Sequence, residues 1–121
     1  MNYTFNNEVP IYLQIVDIIT NDIISGKIKP SEKILSVREY ALVFKANPNT
    51  ICKALSVLED NLLIYTERTN GKFVTTDLEV IKSYKEKIFN EKVNEFLVEI
   101  KSMGYNNEEI IKKIMEVCKW V

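Results

Sequence analysis

Residues 36–62, SVREYALVFKANPNTICKALSVLEDNL, decide how this chain is read. Ser36-Val37-Arg38-Glu39 has the S-x-x-E form, in which the serine and glutamate side chains each satisfy a free amide at a helix start. Val37, Tyr40, Ala41 and Phe44 then recur at helical spacing. The pattern breaks over residues 45–47. Asn47 is a good N-cap, and Pro48 suits the first helical position, where its missing N–H costs nothing. A second helix from there buries Ile51, Ala54, Leu55 and Leu58 and turns Asn49, Thr50, Cys52, Lys53 and Ser56 outward. Two short helices and a tight turn make a helix-turn-helix, whose second helix is the one that enters a major groove. Similar pairs occur in all-α domains that never meet nucleic acid, so the flanking segments must decide.

Upstream, Ile11, Ile15, Ile18, Ile19 and Ile23 mark a helix over 10–25. Gly26 ends it and Pro30 blocks its resumption. Residues 2–9 read as polar and frayed, and 27–35 as a short basic connector, either near a phosphate backbone or an exposed loop. Downstream, Asn61 is expected to take the left-handed position after the second helix of the pair. The period then changes. Residues 63–68 and 72–76 are rich in strand formers, and Asn70-Gly71 between them is the dipeptide of a two-residue hairpin turn. Three helices followed by such a hairpin make a winged helix-turn-helix, with Arg68 and Lys72 flanking the wing tip. These charges suit a phosphate or the minor groove, or else keep an exposed edge soluble.

From Asp77 the chain is helical again. Leu78, Ile81, Tyr84, Ile88, Val93, Phe96, Ile100 and Met103 mark one stripe, widened by Phe89 and Leu97, until Gly104. Asn106 or Asn107 caps a last helix with Ile110, Ile111, Ile114, Met115, Val117 and Cys118 on one side, ending near Trp120. Such stripes need cover, and pairing with a second copy supplies it. The expected architecture is mainly α with a small β-hairpin: a winged helix-turn-helix over 1–76 and a two-helix dimerisation tail over 77–121.

Composition narrows the function. The 121 residues are 46% apolar and 27% charged, as in a soluble globular protein. No apolar run approaches membrane-spanning length, and the N-terminus lacks a signal core, so a cytoplasmic location is expected. Cys52 and Cys118 form no C-x-x-C, and there is no histidine to complete a zinc site or serve as an acid–base catalyst. Neither an enzyme nor a cofactor is expected. The net charge is −1, yet residues 27–53 hold Lys27, Lys29, Lys33, Arg38, Lys45 and Lys53 against only Glu32 and Glu39. That basic excess overlaps the outward face of the helix pair.

These blocks together resemble the GntR family of bacterial transcription regulators over roughly residues 9–75. The resemblance runs through PIYLQI (10–15), SGKIKP (25–30), Ser36-Val37-Arg38-Glu39 with Ala41, NPNTI (47–51), Ala54-Leu55, Leu58-Glu59, and Leu63-Ile64-Tyr65 with Gly71 and Phe73-Val74. The short helical tail is similar to that of the YtrA-like subfamily. The resemblance implies a homodimeric repressor of double-stranded DNA at a palindromic operator, often near genes for a membrane transporter. Departures from the family pattern are Leu35 for a proline, Ser31-Glu32 for Gly-Asp, Asn61 for a glycine, and Thr69 and Lys72 in the wing.

On this basis Asn49, Thr50 and Lys53 are expected to read base edges and Arg38 to clamp a phosphate or a guanine. Arg68 and Lys72, with Gly71 completing the wing, are expected to hold the backbone or minor groove. Two other readings stay open. One is a winged-helix protein-interaction module. The other is a regulator that binds a small-molecule effector near Tyr84, Phe89 or Trp120.

Overall fold

The computed structural model describes residues 3–120 and contains five helices and one two-stranded antiparallel hairpin among them. In order these are α1 (Ile11–Ile24), α2 (Val37–Phe44), α3 (Pro48–Asp60), β1 (Ile64–Glu67), β2 (Gly71–Val74), α4 (Leu78–Ser102) and α5 (Asn107–Cys118). The chain divides into two compact units, Met1–Lys85 and Glu86–Val121.

In the first unit α3 is the central helix, contacting α1, α2 and β1. The four residues expected to face inward, Ile51, Ala54, Leu55 and Leu58, are all buried. They meet Ile15, Ile19 and Ile23 of α1, Tyr40 and Phe44 of α2, and Leu63, Ile64 and Val74 around the hairpin in one core. Each fully buried aliphatic side chain there contributes about 1.5–3 kcal/mol relative to an exposed one. The Ser36 box forms as expected: Glu39 N–H donates to Ser36 Oγ at 3.1 Å, and Ser36 N–H donates to Glu39 Oε1 at 3.0 Å. The Asn47 cap forms too, with Asn49 N–H donating to Asn47 Oδ1 at 2.8 Å.

Four local expectations are corrected. Residues 3–9 pack rather than fray, because two aromatics find a third: the Tyr3 and Phe5 rings lie 4.8 and 6.2 Å from that of Phe44. The Gln14 amide then ties this arm to α1, donating to Asn6 O at 2.9 Å and Val9 O at 2.7 Å. The connector is no free loop. Lys33 bridges to Phe73, and Ser31, Glu32 and Ile34 exchange backbone hydrogen bonds with Val74 and Lys72. It therefore covers the outer edge of β2.

The left-handed residue after α3 is Leu62 (φ 65°), not Asn61 (φ −80°). Leu63 N–H donates to Leu58 O, and Leu62 N–H to Glu59 O. These are the paired bonds of a Schellman motif, which places Leu62 where glycine usually stands. Finally, the hairpin pairs Glu67 with Gly71, leaving a three-residue loop of Arg68, Thr69 and Asn70 rather than a two-residue turn. Asn70 N–H donates to Glu67 O, and Gly71 follows at φ 105°. A turn followed by a positive-φ glycine is the usual three-residue solution.

The second unit holds the rest of α4 and α5. Gly104 (φ 95°) follows α4, and Asn106 caps α5 in a reciprocal box with Glu109. Among the described residues of this unit only Ile110 is buried. Phe89, Phe96, Met103, Ile111, Ile114, Met115, Val117 and Trp120 are exposed on the single chain.

Candidate nucleic-acid interface

The buried stripe of α3 fixes what the rest of that helix presents. With Ile51, Ala54, Leu55 and Leu58 turned inward, Asn49 and Lys53, four residues apart, share the opposite, exposed face, and Thr50 is half-buried beside them. The amides at the start of α3 are capped, Asn49 N–H by Asn47 Oδ1 and Thr50 and Ile51 N–H by Asn47 O, so the helix contributes there only the positive end of its dipole. Arg38 is exposed in the first turn of α2, held there by the Ser36–Glu39 box. Interaction with Ser36, its backbone N–H first and its side chain second, holds the Glu39 carboxyl below its usual range. Behind it, burial pushes the Tyr40 phenol up to about 12, opposed in part by the Leu35 backbone.

Lys53 has a neighbour that the sequence did not point to. Its Nζ sits 4.3 Å from the centre of the Tyr12 ring, inside cation–π range. Tyr12 stands on α1, so only the packing of α1 against α3 brings the two together. Lys53 is thus held over the surface rather than left free to sweep it.

The wing separates its two basic residues. Arg68 is exposed in the hairpin loop. Lys72 instead turns toward α3, donating to Glu59 Oε1 at 2.8 Å and Thr66 Oγ1 at 2.7 Å. Thr66 also donates to Glu59 Oε1, at 2.6 Å. These bonds hold the Glu59 carboxyl below its ordinary range, Lys72 contributing most. The sequence marked Glu59 only as part of the family resemblance and Thr66 only as a strand residue, because their partnership needs the hairpin folded back on the helix. Gly71 is fixed by its backbone, whose φ of 105° suits glycine; an added Cβ would meet only the movable end of the Lys33 side chain, Cε at 3.0 Å. An open groove lined by Lys33, Ser36, Val37, Gly71 and Lys72 runs between the start of α2 and the wing.

The structure thus gathers Arg38, Asn49, Thr50, Lys53 and Arg68 on the exposed parts of one compact unit. Three cations with one amide and one hydroxyl side chain suit a polyanion whose edges also carry hydrogen-bonding groups. Among the described residues no cluster of His, Cys, Asp or Glu could hold a metal ion, and no helix is long and apolar enough to cross a membrane. Of the aromatics considered for an effector, Tyr84 packs at the edge of the first unit's core, while Phe89 and Trp120 are exposed in the second unit.

Residues 11–74 match the GntR family of bacterial regulatory proteins. The chain is 34% identical over 114 residues to an uncharacterized HTH-type transcriptional regulator, YhcF, of Bacillus subtilis, covering 94% of each. It is 30% identical over 112 residues to the transcriptional repressor YtrA of the same organism, covering 92% of this chain and 86% of that one. Among solved structures, a GntR family transcriptional regulator from Listeria monocytogenes superposes with a TM-score of 0.86 at 37% identity, over 93% of this chain and 98% of that one. The DNA-binding domain of AraR, solved in complex with an operator, superposes with a TM-score of 0.56 at 31% identity, over 60% of this chain and 93% of the domain.

Proposed function

The chain belongs to the GntR family of bacterial regulatory proteins, and on that premise we propose that it is a transcriptional repressor that binds an inverted-repeat operator as a homodimer. The observation that carries this reading is the division of α3, one face locked in the core and the other polar and open to solvent. That is the arrangement a recognition helix requires: rigid backing behind a polar surface. The relatives support it, since YtrA is named a repressor and the AraR domain was solved on an operator.

In this reading residues 1–76 meet the duplex. Asn49, Thr50 and Lys53 read base edges in the major groove, Arg38 holds a phosphate or guanine at its rim, and Arg68 reaches the backbone or minor groove from the wing. Gly71 gives the wing its turn. Lysine offers guanine a compact point contact where arginine would make two bonds. Residues 77–121 join the two copies. Support for that step is the row of exposed apolar side chains on α4 and α5, which in a lone chain faces water. A two-fold axis through the tails makes the half-sites an inverted repeat. The regulated genes are proposed to be of the transporter type on the subfamily resemblance alone.

Selection of bound duplexes from a random pool, paired with sedimentation equilibrium, tests both halves. The expected result is an inverted repeat and twice the chain mass. A single half-site with a monomer mass overturns the dimer and keeps the DNA reading. Failure to recover any duplex overturns the DNA reading itself.

A further inference from the structure

One polar cluster of the first unit, Glu59 with Thr66 and Lys72, ties the wing to the C-terminal end of α3. Resting on the DNA-binding function proposed for this chain, we propose that Lys72, through Glu59 and Thr66, is a positioning residue that sets the angle of the wing over α3, and that it is not itself a phosphate contact.

The register makes the geometry plain. Ile64 pairs with Val74, and both are buried in the core. Two residues further out, Thr66 pairs with Lys72 on the same face of the hairpin, since side chains alternate along a strand. The opposite face carries Tyr65 and Phe73, stacked at 5.8 Å. The Thr66–Lys72 pair therefore continues the core-facing side of the wing, and the side chain that meets it from α3 is Glu59. One carboxylate oxygen accepts from both wing residues, and Lys72 also donates to Thr66. Two of the lysine's three protons are thus committed within the protein.

Charge balance points the same way. Lys72 and Glu59 form an ion pair at 2.8 Å, so the pair adds no net charge toward a duplex. Among the wing residues the exposed cation is Arg68, in the loop beyond the clamp. Glu59 stands on the helix that also presents Asn49, Thr50 and Lys53. The clamp therefore holds the wing in fixed register with that helix. Ordering the wing before binding spares the complex that cost.

The test is a mutant cycle read by fluorescence anisotropy on a labelled duplex from the selected pool, across a range of potassium chloride concentrations. Lys72→Met and Glu59→Met should each weaken binding by roughly 1.5-fold to fivefold, the scale of one exposed ion pair. The double variant should lose no more than either single one, and the salt slope should match that of the native chain. Arg68→Ala should cost less in the Lys72→Met background than alone, because the unclamped wing no longer delivers the arginine. The exchange Glu59→Lys with Lys72→Glu should recover most of the lost affinity. The proposal is overturned if Glu59→Met tightens binding while Lys72→Met weakens it and lowers the salt slope by about one, the sign of a direct phosphate contact. Additive losses or a failed exchange overturn it too, with DNA binding intact. A native chain that binds no duplex sinks the functional reading and this proposal with it.

Discussion

Leu62 is an L-residue in a position that usually belongs to glycine, and replacing it should stabilise the protein. Its φ of 65° brings Cβ close to the following carbonyl, a conformation that costs about 1–2 kcal/mol for a residue with a Cβ. Leu62→Gly removes that cost but makes the unfolded chain more flexible, a penalty of roughly 0.5–1 kcal/mol. Little burial is lost, since Leu62 is 65% exposed. The balance is a gain of roughly 0–1.5 kcal/mol, or a few degrees in melting temperature at mid-range for a chain of this size. Urea unfolding at fixed protein concentration should show the midpoint rising with an unchanged slope, the mark of altered stability rather than altered compactness. Leu62→Ala is the control: it keeps Cβ and should gain nothing. A lower midpoint for the glycine variant, or an equal rise for alanine, would refute the backbone explanation.

Three further outcomes are expected. Because burial raises the Tyr40 phenol to about 12 from an ordinary 10.0, the unfolded chain loses that proton first, so this contribution is intact below pH 10 and lost as pH climbs toward 12. The loss is about 3 kcal/mol, and native and Tyr40→Phe proteins unfolded in urea at successive alkaline pH values should differ by a margin that grows in this window. Lys53→Ala should weaken the selected duplex by about 1–3 kcal/mol and flatten preference at one position per half-site; an equal loss on every sequence would assign Lys53 to phosphate. Gly71→Ala, strained by its φ of 105°, should destabilise the chain by more than about 1 kcal/mol in thermal melts.

The helices were legible because each carries its own punctuation. The Ser36 box, the Asn47-Pro48 start and the four inward positions of α3 are all local signals, and all reappear in the structure. The outward face of α3 followed from the same periodicity. What stayed hidden depends on distant partners. The connector looks like a loop because three apolar residues, Ile28, Ile34 and Leu35, are too few to show a period, yet its backbone pairs with β2. Tyr12 beneath Lys53 and Glu59 beneath Lys72 each require two elements already packed together. Leu62 escaped for another reason. Asparagine tolerates the left-handed region better than leucine, but the bonds back to Leu58 and Glu59 place that bend one residue later.

The backbone pairing between the connector and β2 also bears on solubility. A two-stranded ribbon would ordinarily bare both its rims, each a template on which a strange chain could add a strand and begin to aggregate. Here one rim is occupied by residues 31–34. The other belongs to a strand of 4 residues that ends in the polar pair Thr66 and Glu67, too short and too charged to recruit a stranger. Trimming the connector would therefore do more than loosen a wing: it would uncover the rim of Phe73 and Val74, and clumping in concentrated solution should follow.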